Sequence, residues 1–148
     1  LENLKIGDEL ILIGGAGMLP EEVVSSGKVI NSHPAYLPYV RGLDSLKWAI
    51  YDGNPIGVTT HIISDECDAG KLIRKELVPL YSWDTFHSVA QRQYEMEIDM
   101  LVDSIEDIKT SPLKELSTTK SKPHRRMSHS HEMRLMNRFQ EIIDKVGI

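Results

Sequence analysis

Residues 28–42 read Lys28-Val-Ile-Asn-Ser-His-Pro-Ala-Tyr-Leu-Pro-Tyr-Val-Arg-Gly42, and this stretch decides the fold. Its apolar start predicts a buried strand over about residues 28–32. Asn31 and His33 lie two positions apart, so an extended backbone directs both side chains to one face. Two prolines and a final glycine then stop the strand. A polar pair at this point is compatible with a catalytic site, and equally with a capping Asn and a surface His before a loop.

Strands and helices alternate around this stretch. A continuous apolar run at 10–13, bounded by Gly14-Gly15, predicts a fully buried, parallel strand. The predicted strands 57–63 and 71–78 are joined too tightly for a crossover, so they should form an antiparallel hairpin. The whole pattern therefore predicts an α/β protein with a mixed, partly parallel sheet flanked by helices.

The longest predicted helix begins near Asp84, a favourable N-cap, and keeps its apolar period through Ile108. Five acidic residues fall largely off the apolar stripe and are expected to form a solvated face: Glu95, Glu97, Asp99, Asp103 and Glu106. Residues 110–130 indicate a linker or extended arm. Residues 131–148 are predicted to form a C-terminal amphipathic helix.

The composition fits one globular domain. The chain has 148 residues, of which 41% are hydrophobic and 26% charged. Its net charge of −5 argues against a general binder of nucleic-acid phosphates. No apolar run reaches the roughly 18 residues of a membrane span, so we expect no membrane partner. The single cysteine, Cys67, excludes an intrachain disulfide framework and fits a reducing compartment such as the cytoplasm.

Three polar groups could converge if the predicted strands are neighbours: Asn31 with His33, then His61, and the acidic loop Asp65–Gly70. Asn offers a donor that does not titrate, and His can donate or move a proton. A nearby carboxylate would raise the pKa of the histidine and hold its ring. Such a set suits acyl transfer, in which donors stabilise an oxyanion and a base takes the proton of the nucleophile.

The sequence offers no convincing protein nucleophile for that chemistry. A Gly-x-Ser-x-Gly elbow is absent, and the acids beside Cys67 disfavour its thiolate. Direct attack by a substrate amine is therefore the simpler mechanism. His33, His61 and Asp68 could instead bind a metal, since two His and one carboxylate form a known ligand set. Their spacing matches no compact metal motif, so we expect no metal.

Several short motifs between Leu10 and Ile108 are informative in combination: Asn31-x-His33-Pro34, Leu37-Pro38, Arg41-Gly42, Trp48-Ala-Ile50, Gly57-Val-Thr59, His61 and Asp68-x-Gly70. With them the chain resembles the formyltransferases that use N10-formyltetrahydrofolate. That family includes glycinamide-ribonucleotide, methionyl-tRNA and sugar-nucleotide members. The resemblance implies a Rossmann-like formyltransferase fold. Asn-x-His-Pro together with Asp-x-Gly is specific, whereas either half alone is weak.

The resemblance implies roles for the matching positions. Asn31 and His33 would stabilise the oxyanion formed when an amine attacks the formyl carbon. Asp68 would orient and charge His33, or help to remove the amine proton through a water. The pterin pocket would be lined by the Met18-Leu19 turn and by the backbone of Asp65, Glu66, Cys67 and Asp68. Three further residues are expected near the site, and their roles stay open: His61, Tyr36 and Arg41.

The family's fold begins with a βαβ unit that nothing before Leu10 can supply. We therefore expect residues 1–109 to be the C-terminal half of a formyltransferase catalytic domain, with a sheet incomplete at its N-terminus. We expect N10-formyltetrahydrofolate as the formyl donor and a small-molecule amine as the acceptor. An amino sugar on a nucleotide is the leading acceptor, with glycinamide ribonucleotide or aminoacylated tRNA as alternatives.

Other interpretations stay open at the level of sequence. Water could replace the amine, which would make the protein a formyl-tetrahydrofolate hydrolase, or the chain could bind folate without turnover. The basic stretch Lys120–Arg126 could meet phosphates of a nucleotide or be a solvated linker. The role of the His-rich residues that follow, up to His131, stays equally open. The C-terminal helix could pack on the body or on a second copy, so a homodimer is also an expectation.

Overall fold

The computed structural model describes residues 9–117 and 121–146, and predictions for residues 1–8, 118–120 and 147–148 lie outside this part. Within it, five strands form one mixed sheet in the order β1-β2-β3-β4-β5. β1 and β2 are parallel, and the other neighbours are antiparallel, which confirms the predicted α/β class with a mixed sheet. The elements in chain order are β1 (Ile11–Gly14), α1 (Glu21–Val24), β2 (Val29–His33), α2 (Ser45–Asp52), β3 (Gly57–Ile62), β4 (Lys71–Leu77), α3 (Phe86–Thr110), β5 (Lys114–Glu115) and α4 (His129–Val146).

The first strand differs from its prediction. β1 is half-buried rather than fully buried, and Leu10 before it is 38% exposed. Its partner in the described part of the chain is β2, with Ile11 opposite Val29, and β1 forms the edge of the described sheet. An apolar run is buried on both faces only where neighbours cover it, so the prediction of full burial was wrong here.

The hairpin of β3 and β4 is confirmed, and it sets the register that positions the polar groups. All six residues of β3 are buried, as expected for a central strand. His61 lies directly opposite Asn31 across the β2–β3 ladder, so the two side chains share one face. The register of β3 against β4 shifts between Thr60 and His61, an irregularity of the β-bulge type.

One face of β2 packs in the apolar core, and the other carries the polar residues of the site. Ile30 is fully buried against α3, in a cluster with Ile62, Ile73 and Leu101. Because side chains alternate along a strand, Asn31 and His33 project from the opposite face, where His33 approaches Ser45 at the start of α2. A second apolar cluster lies around α2 and α4, where Ala49, Ile50, Leu135, Phe139 and Ile143 are buried.

The start of α3 corrects a capping prediction. Thr85, not Asp84, is the N-cap, and its side chain and that of Ser88 form a reciprocal capping box. Asp84 is buried one position earlier. Its carboxylate accepts hydrogen bonds from the Tyr81 backbone at 2.8 Å and from both terminal nitrogens of Arg92 at 2.8 and 2.9 Å. This charge-assisted contact ties the preceding loop to the helix.

The segment after α3, which is predicted to be a linker or extended arm, is described at residues 111–117 and 121–128. It contains β5, which pairs with β4 at the edge of the described sheet. The chain then returns along the loop after β2: the His124 backbone donates to the Arg41 carbonyl at 2.7 Å and accepts from Leu43 at 3.0 Å. Helix α4 begins at His129, two residues before the predicted start, and packs on α2. Within the described ranges, no helix is long and apolar enough to cross a membrane.

Candidate active site

An open cleft of about 1370 Å³ lies where β1, β2 and the β3–β4 loop end. Asn31, His33, His61 and Asp68 all line it. The predicted convergence of the three polar groups is therefore present. Strand ends bring residues that are far apart in sequence to one edge of the sheet.

His33 and Asp68 form the centre of the cluster. Nδ1 of His33 lies 3.3 Å from Oδ1 of Asp68, and both side chains are largely buried. The other carboxylate oxygen of Asp68 accepts a hydrogen bond from the Gly42 backbone at 2.5 Å. Asp68 has a left-handed backbone with φ 48°, which is uncommon for a residue other than glycine and is best tolerated by Asp or Asn. This conformation directs its carboxylate back toward β2.

Burial has a larger effect on the pKa of His33 than the Asp68 carboxylate has. Desolvation lowers the pKa of His33 below its ordinary value, while Asp68 and a hydrogen bond to the Val40 backbone act in the opposite direction. The sequence predicted that a carboxylate would raise the pKa of His33. Its contribution has that sign but is outweighed. A histidine of this kind is uncharged near neutral pH and can take up a proton.

Ser45, at the start of α2, completes the surroundings of the His33 ring. Its hydroxyl lies 3.4 Å from Nε2 of His33 and 3.1 Å from the carbonyl of Gly42. A hydroxyl has one hydrogen and can also accept. When Ser45 donates to Gly42, it can accept from a protonated Nε2, and when it donates to Nε2, the ring is neutral. Ser45 can therefore serve both protonation states of His33.

Asn31 is held by a second histidine. Its Nδ2 lies 3.2 Å from Nε2 of His61, and Nδ1 of His61 lies 2.8 Å from the carbonyl oxygen of Ala69. His61 is 1% exposed, and burial lowers its pKa to about 4. The expected neighbour His61 is thus in contact with Asn31.

Arg41 and Tyr36, also expected near the site, lie behind the loop rather than among the residues that line the cleft. Arg41 is 2% exposed and donates to the carbonyls of Cys67 and Ser121 and to the carboxylate of Glu66. It therefore braces the loop that carries Asp68. Tyr36 packs instead under the ammonium of Lys75, 4.3 Å from the ring centre.

The expected pterin-binding segments line the same cleft. Met18 and Leu19 lie on one side, and residues 65–68 on another. Met18 is 84% exposed, so its side chain is available for contact. Burial, with a smaller contribution from Asp68, raises the pKa of the Cys67 thiol to about 11. A thiol of this kind is a poor nucleophile, as the neighbouring acids in the sequence predict.

Sequence reasoning missed Glu97. It was assigned to a solvated face of α3, but it is half-buried and lines the cleft one turn beyond Gln93. Burial raises the pKa of Glu97 to about 6. The available signal was weak: Gln93 and Leu101 belong to the predicted apolar stripe, and Glu97 lies four residues from each, on the same side of a helix.

The metal alternative gains no support from the geometry. In residues 9–117 and 121–146, no three side chains of His, Cys, Asp or Glu are grouped as metal ligands. His61 has both ring nitrogens engaged with protein groups, and one nitrogen of His33 faces Asp68.

The sheet and its Asn-His-Asp cluster define an α/β domain with a polar site at the ends of its strands. The chain belongs to the formyl transferase family, whose model matches residues 5–105. It is 31% identical over 90 residues to dTDP-4-amino-4,6-dideoxyglucose formyltransferase of Mycobacterium tuberculosis, covering 61% of this chain and 38% of that protein. It is 34% identical over 110 residues to methionyl-tRNA formyltransferase of Fusobacterium nucleatum, covering 72% and 36%.

A solved structure supports the fold. The formyltransferase PseJ from Anoxybacillus kamchatkensis, in complex with UDP-4,6-dideoxy-4-formamido-L-AltNAc and tetrahydrofolate, superposes with a TM-score of 0.67. The match has 24% sequence identity and covers 78% of this chain and 64% of that one. The chain spans less than half the length of the two curated relatives above.

Proposed function

We propose that this chain forms the catalytic half of an N-formyltransferase that moves a formyl group from N10-formyltetrahydrofolate to a small-molecule amine. The observation that carries the proposal is the placement of Asn31, His33 and Asp68 on one cleft, with 3.3 Å between the His33 ring and the Asp68 carboxylate. Membership of the formyl transferase family supports it. A donor, a titratable ring and a carboxylate are groups that suit acyl transfer to an amine.

The size of the cleft supports a folate-sized donor. Its volume of about 1370 Å³ exceeds that of an ordinary small-molecule pocket, so it leaves room for a donor and an acceptor together. Residues 65–68 and the turn at 18–19 would hold the pterin. When bound, the formyl donor supplies the carbon that the amine attacks, and its N10 leaves with one proton.

The side chains then have distinct tasks. Asn31 donates an N–H to the formyl oxygen as that oxygen gains negative charge. His33, when it carries the second proton, stabilises the same oxygen through its positive charge. Asp68 stabilises the charged ring as the amine attacks, and then accepts, through a water, the proton that the attacking nitrogen loses after its bond to carbon has formed. Return of that proton to N10, as the old C–N bond breaks, balances the reaction.

An amino sugar on a nucleotide is the acceptor we propose. The named activity of the Mycobacterium relative supports this class. The basic residues Lys122, Arg125 and Arg126 flank Pro123 and His124, which line the cleft, and phosphates could approach there. Lys120, the first residue of that basic stretch, lies outside the described residues.

An activity assay on the complete natural protein tests the proposal. The protein would be incubated with formyl-folate and each of three acceptors: amino-sugar nucleotides, glycinamide ribonucleotide and aminoacylated tRNA. Loss of formyl donor is followed by absorbance, and product by mass spectrometry. We expect formylation of an amino sugar, and about a 100-fold or larger loss of kcat in Asn31→Ala, His33→Ala and Asp68→Ala with unchanged circular dichroism.

Near-normal turnover in all three variants would contradict the proposed mechanism. Formate released at the full rate without an amine would instead make the protein a hydrolase. Tight folate binding without transfer to any acceptor would make it a binding protein. Preference for tRNA or glycinamide ribonucleotide would overturn only the choice of acceptor.

A further inference from the structure

His61 has no task in the mechanism above, yet its surroundings are unusually restrictive. It is 1% exposed on the central strand β3, directly opposite Asn31. One ring nitrogen contacts the Ala69 carbonyl oxygen at 2.8 Å, and the other contacts the Asn31 amide nitrogen at 3.2 Å. Both polar atoms of this ring are therefore engaged by protein groups.

The positions of the hydrogens follow from the partners. A carbonyl oxygen can only accept, so Nδ1 of His61 must carry a hydrogen and donate it to Ala69. Burial keeps the ring neutral, since the pKa of His61 is lowered to about 4. A neutral ring with a protonated Nδ1 has a bare Nε2, which can only accept. Asn31 must therefore present its NH2 group, not its carbonyl oxygen, to His61.

We propose that His61 is a positioning residue that fixes the orientation of the Asn31 carboxamide for formyl transfer. This inference rests on the proposed function, because it concerns the group that would meet the formyl oxygen. One N–H of Asn31 is used to anchor the amide on His61. The second N–H belongs to a side chain that lines the cleft, and there it is available as a donor.

The alternative orientation shows why this matters. Rotation of the Asn31 amide by half a turn exchanges its oxygen and nitrogen. The oxygen would then face a bare ring nitrogen, so two acceptors would meet in a buried site. The carbonyl dipole of Asn31 would also be reversed relative to the cleft. A developing oxyanion is stabilised by preorganised donors, and each lost donor is costly.

A direct proton-transfer role for His61 does not fit these contacts. Its Nδ1 hydrogen is committed to Ala69, a residue that is 3% exposed. Its Nε2 is committed to Asn31. His33 and Asp68 instead share a direct 3.3 Å contact within the cleft. The geometry thus separates a pair that can exchange protons from a histidine that orients the amide donor.

A double-mutant cycle tests the proposal in the complete protein. His61→Leu removes the acceptor, and we expect kcat to fall roughly 10- to 100-fold, with the KM of the formyl donor nearly unchanged, because a donor to the oxyanion acts in the transition state. His61→Gln can again offer an oxygen to Asn31, and we expect it to restore most of the activity. In an Asn31→Ala background, His61→Leu should cause no further loss.

Equal losses from His61→Leu in the two backgrounds would overturn the proposal, because His61 would then act independently of Asn31. A rise in KM with unchanged kcat would also overturn it. Failure of His61→Gln to exceed His61→Leu in activity would do the same. These outcomes separate orientation of the amide from a general effect on folding, which the melting temperature of each variant reports.

An NMR measurement that needs no turnover tests the orientation of Asn31 separately from the proposed function. ¹⁵N NMR of histidine-labelled wild-type protein at pH 7 should show His61 neutral, with a protonated Nδ1 and a bare Nε2. A protonated Nε2, or rapid exchange between tautomers, would overturn the orientation of Asn31. If instead this signature is present but no amine is formylated, the proposed function fails while the orientation holds.

Discussion

The His33–Asp68 pair shows how burial and charge oppose each other at one residue. Burial lowers the pKa of His33, and the Asp68 carboxylate raises it in part. The neutral ring is therefore favoured near neutral pH, and the Asp68 carboxylate stabilises the ring when it becomes charged. Asp68 reaches this position because its backbone adopts a left-handed conformation at the end of the β3–β4 loop.

Asp68→Asn isolates the charge of that carboxylate. Asn tolerates the φ of 48° and can still accept from Gly42, so the loop should keep its shape. We expect kcat to fall by about 100-fold, since the ring loses its charge partner. The pKa of His33 should fall further, because the contribution that raises it is removed. Steady-state kinetics and an NMR titration of His33 check both statements.

Asp99→Asn is the matched control. It makes the same chemical change on an exposed position of α3, and it should leave kcat and the pKa of His33 as they are. Unchanged activity in Asp68→Asn would contradict the proposed role. A fall in kcat with a constant pKa of His33 would show that Asp68 acts on another group.

Arg41 and Glu97 show what inference from single residues does not supply. Arg41 is expected near the site with its role open, and the structure shows it buried, where it donates to the Cys67 carbonyl. Glu97 was expected in solvent because it belonged to a run of acids, and it faces the cleft instead. Both outcomes depend on which segment packs against the side chain, and a local pattern does not contain that information.

The sequence predicts a secondary structure element well where the residues of that element carry the signal themselves. The hairpin of β3 and β4 and the long helix α3 follow from apolar runs and helical periodicity. By contrast, β5 consists of Lys114 and Glu115, which have low strand propensity, and it forms because β4 supplies an edge to pair with. Its backbone continues the sheet through a bond from Leu116 to the Gly70 carbonyl at 2.8 Å.

Helix α3 carries an electrostatic cost that can be measured. The pKa of Glu97 is about 6 in the folded protein, above its ordinary value of 4.5, because burial penalises the carboxylate. The folded state then binds more protons than the unfolded state between these values, so the cost is absent below pH 4.5 and complete above pH 6. Glu97→Gln should raise the free energy of unfolding at pH 7 by about 1–2 kcal/mol.

Urea unfolding at pH 4 and pH 7 checks this expectation, with a gain predicted only at pH 7. Glu95→Gln on the same helix is the control, and its exposed side chain should give a small change at both pH values. An equal gain for Glu97→Gln at the two pH values would show that packing, not charge, causes it.

At the scale of the whole molecule, the segment 121–127 forms part of the wall behind the site. It runs beside the loop 37–45, and the two meet at Gly42 and His124. Gly42 has φ 92°, and a Cβ atom there would lie 2.6 Å from the His124 nitrogen. The same glycine donates its N–H to Asp68. This contact joins the C-terminal part of the described chain to the catalytic cluster, and the sequence did not predict it.

Gly42→Ala should therefore damage stability and activity together. We expect a loss of about 3 kcal/mol or more, from the left-handed backbone and the clash with His124, and a strong fall in kcat as the Asp68 contact shifts. Thermal unfolding and kinetics measure the two effects. Gly53→Ala is the control, because Gly53 also has a positive φ of 70° but an added Cβ would meet nothing within 4 Å. We expect this variant to lose about 1 kcal/mol of stability and to keep its kcat. Similar behaviour of the two variants would contradict a role for the contact.

The Gly42–His124 contact also limits recombination between relatives. A chimera could take its C-terminal segment from one parent and its Asn-x-His-Pro loop from another. The backbone contact between Gly42 and His124 would then join two segments from different proteins. Crossover points between residues 45 and 121 would separate these partners. Functional hybrids should therefore inherit both segments from the same parent, which makes them a single unit of exchange despite about 80 intervening residues.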